Sequence, residues 1–61
     1  MMNRQEAFRQ DREFYVEHDS LHSSYGTFGD QTGFCYLLSY HEHDCRQEAE
    51  RLEEMKAREI A

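Results

Sequence analysis

The 61-residue chain contains no proline, only three glycines and two cysteines, and only seven bases against thirteen acids. Each shortage excludes something. No stretch approaches the roughly 18 apolar residues of a spanning helix, so no membrane association is expected. Met1 to Glu13 alternates charged and polar side chains and lacks the apolar core of about 7–15 residues that a secretory signal needs, which sets a cytoplasmic location as the expectation. Two cysteines are too few for the disulfide framework of a small secreted domain. Seven outnumbered bases make no electrostatic footprint for phosphate, so direct nucleic-acid binding is not expected. There is no internal repeat and no low-complexity tract, and the length allows one small domain at most.

What is present is charge at both ends and apolar bulk between them. One residue in three is charged, the net charge is −6, and the mean hydropathy is −1.06. Residues 1–20 carry five acids and three bases, residues 41–61 carry seven and four, and residues 21–40 carry Asp30 alone. All three glycines, Gly26, Gly29 and Gly33, lie in that middle stretch. A chain of this length buries only about 60% of its unfolded surface, so it commonly relies on a disulfide, a metal or a partner chain.

The N-terminal arm opens with a helix start signal: Asn3 as N-cap and Glu6 three residues on, a capping-box pattern. Beyond it Phe14, His18, Leu21 and Tyr25 follow one helical face, with Phe8, Tyr15 and His22 in a parallel row, and predict a helix over about 3–23. Residues 24–32 have the composition of a loop, onto which Phe28 would tuck back. Leu38, Cys45 and Leu52 recur at spacing seven, with Ala49 and Ile60 adjoining and Phe34, His41 and Met55 in a second row, and predict a helix over about 33–60. Glu42 with Arg46, and Glu54 with Arg58, are acid-before-base pairs four apart that support helix in an exposed arm.

The start of the second helix is open to another reading. Phe34 to Tyr40 is aromatic enough for a strand, and Ser39 with Glu42 offers a later capping box. The partner strand would then be Tyr25 to Phe28. Because an isolated two-stranded hairpin is marginal in water, the helix is the reading adopted. On an unbroken helix Cys35 and Cys45 stand roughly 15 Å apart, beyond the reach of about 7 Å that a disulfide allows. The expected fold is therefore all-α, a helical hairpin. Two amphipathic stripes shield each other only in part, so a homodimer in a four-helix arrangement is expected, with Phe14, Leu21, Leu38, Cys45, Leu52 and Met55 at its interface.

Chemistry is sparse. His18 with His22, and His41 with Cys45, stand four apart, and on helices each pair would share a face. Folding the hairpin about residue 30 would bring the four level as a zinc site, the alternative in which a metal staples the module. Otherwise no cofactor is implied. His43, Asp44 and Cys45 are the elements of a cysteine-nucleophile site, but as consecutive helical residues they point apart. His41-Glu42-His43 is not the metalloprotease arrangement, and there is no phosphate loop or nucleophile elbow, so no enzyme is expected. The clustering of Tyr25, Phe28, Phe34, Tyr36 and Tyr40 matches the aromatic enrichment of interaction surfaces. The acid excess suggests a second alternative, a mimic of nucleic-acid phosphate. The carboxylates, however, are interspersed with Arg46, Arg51, Lys56 and Arg58, as on a solvated helix face.

The run Asn3-Arg-Gln-Glu-Ala-Phe-Arg-Gln, the segment Thr32-Gly-Phe-Cys-Tyr-Leu-Leu-Ser-Tyr40 and the tail from Arg46 to Ala61 together resemble the small accessory proteins of lambdoid phages encoded between the exonuclease and excisionase genes. The resemblance implies a short, non-enzymatic protein made early in infection and acting in host takeover or the lysis–lysogeny decision. Its partner would be an unidentified host or phage protein. No functional motif accompanies it, so it transfers no site residues.

Overall fold

The computed structural model describes residues 1–60, without the side chain of Ile60, and shows an α+β fold rather than an all-α one. Its elements are α1 (Arg4–Gln10), β1 (Phe14–Asp19), β2 (Ser24–Gly29), β3 (Cys35–Ser39) and α2 (Glu42–Ile60). The strands form one antiparallel sheet in the order β1-β2-β3, and α2 lies across one face of it. The helical hairpin and its four-helix arrangement are thereby overturned. Of the side chains expected at the dimer interface, Phe14, Cys45 and Leu52 are buried within one chain, whereas Leu21, Leu38 and Met55 stay exposed. Among the described residues no helix is long and apolar enough to cross a membrane.

The helix expected over 3–23 stops at Gln10. Its cap is as expected, with Asn3 Oδ1 accepting the Glu6 amide at 2.9 Å. Asp11 then turns the backbone extended, and Phe14 to Asp19 alternates Phe, Val and His on one side with Tyr, Glu and Asp on the other. That period of two is a strand signal; the spacing-seven rows crossed it by coincidence. The hairpin tip after β1 is pinned by Asp19, whose Oδ1 accepts the Leu21 amide at 3.0 Å while Oδ2 pairs with His22 at 2.7 Å.

The segment expected as a loop is mostly the central strand. Two of its glycines serve close approach rather than turning. A Cβ at Gly26 would lie 2.7 Å from the Phe28 ring, and one at Gly29 would land inside the Asp11 carboxylate. Of the three glycines only Gly33 has a positive φ, 71°, and it closes the β2–β3 connection with its amide on the Gly29 carbonyl at 3.0 Å. Phe28 tucks against no helix; its ring covers Gly26 on the sheet face away from α2.

Cys35–Ser39 is a strand, and α2 starts at Glu42 rather than 33. Its partner is β2, with Tyr25 opposite Ser39 and Thr27 opposite Leu37. The hairpin objection fails because β1 supplies a third strand and α2 a cover, the additions a marginal hairpin needs. The register slips between Thr27 and Phe28, which leaves Tyr36 as an extra residue in β3 and turns it into the core. Ser39 links strand to helix by accepting the His41 amide at 3.1 Å and donating to Asp44 at 2.9 Å.

From α2, Cys45, Ala49, Leu52 and Lys56 form the buried stripe at i, i+4, i+7 and i+11. They meet Phe14 and Tyr36 from the sheet and Ala7 from α1. Thr27, fully buried, donates its hydroxyl to the Cys45 carbonyl at 2.8 Å. Phe8 stacks on Phe14 at 5.9 Å, and Tyr36 meets Phe14 edge-on at 5.2 Å. Lys56 keeps its charge useful while burying its stem: Nζ donates to the Phe8 carbonyl and lies 4.5 Å from the ring centre.

Candidate interaction surface

The sheet has one covered face and one bare one, and the alternation of each strand decides what the bare face carries. Residues opposite each other across strands share a face. Phe14, Val16, Thr27 and their neighbours turn toward α2. Tyr15, Glu17, Gly26, Phe28, Cys35 and Leu38 turn away from it.

Three cross-strand rows make up the bare face, the last of them Asp19 opposite Ser24 at the hairpin end. One is Tyr15, Phe28 and Cys35, with the Tyr15 and Phe28 rings 5.9 Å apart. Another is Glu17, Gly26 and Leu38. The Phe28 ring leans across the missing side chain of Gly26, and Leu38 Cδ2 closes in from the far side, 3.3 Å from where a Cβ would be. The glycine is thus covered by its aromatic neighbour, a known remedy for glycine in a sheet. Leu38 remains 68% exposed and Tyr15 41%. Among the described residues no helix packs over this face. Burial pushes the Cys35 thiol above its ordinary pKa, which holds it in its less reactive protonated form.

The residues expected at an interface are divided by the fold. Phe14, Cys45 and Leu52 lie in the core. Leu38 is on the bare face, Leu21 stands exposed at the β1–β2 tip, and Met55 is half-exposed on α2. The zinc alternative loses its geometric premise. His18 is in β1, where its ring meets Tyr25 at 4.7 Å; His22 is in the turn against Asp19; His41 precedes α2; Cys45 is fully buried. Among the described residues no three His, Cys, Asp or Glu side chains gather as a metal site. Both cysteines are free thiols, and the helix argument that separated them no longer applies because α2 contains only Cys45. The aromatic cluster is split: Tyr36 packs inside, Phe28 outside, and Tyr40 lies exposed before α2.

Sequence reasoning missed Asp11. It is fully buried and accepts from the Gln31 amide (2.9 Å), the Thr32 amide and hydroxyl (both 2.7 Å) and the Tyr36 hydroxyl (2.6 Å). Burial pushes its pKa up, but the Tyr36 and Thr32 side-chain bonds and the two amides outweigh that and hold it below the usual value. Tyr36 is pushed the opposite way, first by burial and then by the carboxylate it serves. With every acceptor site engaged, Asp11 is a clamp between α1, β3 and the β2–β3 connection. It is not poised for proton transfer. Tyr15 and Glu17 were missed as surface residues too, though the alternation from Phe14 to Asp19 was a usable signal.

The fold and this face define a small α+β domain with a covered and an uncovered sheet face. No family model matches the chain, and no curated protein or solved structure matches it.

Proposed function

We propose that this chain is a protein–protein interaction module without catalytic activity, docking through the bare face of its sheet. The observation that carries the reading is the contiguous Tyr15–Phe28–Leu38 surface, aromatic and aliphatic, on a chain that is otherwise one-third charged. Apolar side chains cost solvation when left in water, and a face of this kind is the usual mark of a partner. The resemblance to lambdoid-phage accessory proteins makes that partner a regulatory protein of the host or of the phage, modulated during takeover or the lysis–lysogeny decision.

The test compares wild type with Leu38→Asp in affinity capture from host and infected-cell lysates. Leu38→Asp keeps its circular dichroism and melting temperature but loses the captured protein. Identical capture by both would remove the bare face from the interaction.

A further inference from the structure

The bare face is not uniformly apolar, and its chemistry selects a partner. Beside Phe28 lies an open notch of about 320 Å³, lined by Glu17, Asp19, Gly26, Phe28 and Leu38 and also by His18 and Tyr25. We infer that this notch takes an arginine side chain from a basic segment of the partner protein, an inference that rests on the reading of this face as an interface. The walls match such a side chain part by part. The exposed Leu38 side chain accepts an aliphatic stem. The Phe28 ring offers a face for a guanidinium, which stacks on aromatic surfaces better than an ammonium does. Glu17 stands directly opposite Gly26, is exposed, and makes no ion pair among the described residues. It is the free carboxylate of the site. Asp19 is turned into the hairpin tip by the Leu21 amide and His22, and the His22 bond holds its pKa low, so it adds negative charge without being free to move.

Charge complementarity also decides against the other occupants. Among the described residues the face presents Glu17 and Asp19 and no lysine or arginine, its remaining positions being Tyr15, Ser24, Gly26, Phe28, Cys35 and Leu38; the nearest histidines are His18 in the notch lining and His22 against Asp19. A second copy stacked on it would bring acids with no lysine or arginine on either face to meet them. A nucleic-acid strand would bring phosphate to carboxylate. A basic segment of a different protein satisfies both the apolar floor and the acidic edge.

The experiment uses the full chain, labelled with 15N, and the acetylated and amidated tripeptide Val-Arg-Val as probe. Two controls replace its arginine by neutral citrulline and by glutamate. The arginine probe shifts the amides of Glu17, Gly26, Phe28 and Leu38. Binding weakens about tenfold, as for loss of one charge-assisted contact, with the citrulline probe or in Glu17→Gln. Gly26→Ala, which pushes the Phe28 ring into the notch, abolishes the shifts while amides around Leu52 keep their positions. Equal binding of arginine and citrulline probes on this face would overturn the charge selection and leave the interface reading standing. Shifts confined to other surfaces, or none, would overturn the inference, and the lysate comparison then decides the interface reading separately. Concentration-dependent shifts of the same amides without probe would also overturn it, in favour of a second copy.

Discussion

Removing the Asp11 carboxylate should cost this protein most of its stability. The side chain is fully buried and receives four hydrogen bonds from three residues, all between 2.6 and 2.9 Å. In Asp11→Ala the Tyr36 hydroxyl loses its acceptor inside the core, while the Gln31 and Thr32 donors, nearer the surface, recover some water. Each buried donor left unsatisfied costs about 1–3 kcal/mol, so the total is about 3–5 kcal/mol. A domain of this length is stabilised by only about 3–9 kcal/mol at the usual yield per residue. Asp11→Ala should therefore be largely unfolded at neutral pH. Asp11→Asn keeps the shape and one acceptor, and should lose about 2 kcal/mol. Urea titration followed by circular dichroism measures both.

The same carboxylate gives a pH signature. Its folded pKa lies below the unfolded value near 3.8, so its contribution is present above that value and is lost as pH falls through the folded pKa. Asp19 and Asp30 are depressed as well, Asp19 first by its bond to His22 and Asp30 first by the Arg12 amide, and they share this window. Asp11→Asn should thus flatten, without abolishing, the acid limb of the stability curve below about pH 4. An Asp11→Ala variant within about 1 kcal/mol of wild type would refute the clamp. So would an Asp11→Asn variant with an unchanged acid limb.

Gly29→Ala should cost about 3 kcal/mol through overpacking against Asp11, and Gly33→Ala only about 1 kcal/mol for its positive φ. Denaturant midpoints in the reverse order would mean that close approach is not why Gly29 is there. Leu52→Ala should lose about 2–5 kcal/mol as a core truncation, whereas Leu38→Asp should stay within about 0.5 kcal/mol of wild type as a surface change. A Leu38→Asp variant as unstable as Leu52→Ala would show the bare face to be covered in solution. Cys45 should resist iodoacetamide until the protein unfolds, and Cys35 should react more slowly than a free thiol because burial raises its pKa. Labelling of Cys45 before Cys35, read by mass spectrometry, would contradict the burial order.

Part of the site was legible and part was not. The aromatic enrichment between Tyr25 and Tyr40 pointed to this stretch, and Leu38, expected at a dimer interface, is exposed on the bare face. That enrichment could not show which rings face out. Phe28 and Tyr36 are equally aromatic, and only the register slip between Thr27 and Phe28 sends Tyr36 inward to Asp11. Nor could Glu17 be placed beside Gly26, since their pairing joins residues from two segments first read as one helix and one loop.

What the sequence determined by itself is what short-range physics controls. The Asn3 cap, the helix through Arg46 to Glu59, and the Glu42–Arg46 and Glu54–Arg58 pairs at 2.8 and 2.9 Å all rest on partners within four residues. Tertiary structure decided the three strands, the close-packed glycines and the Asp11 clamp. A strand bonds to a partner whose distance along the chain the local pattern does not encode. Tyr25 to Phe28 becomes a central strand only because β1 and β3 reach it from either side and α2 covers the result.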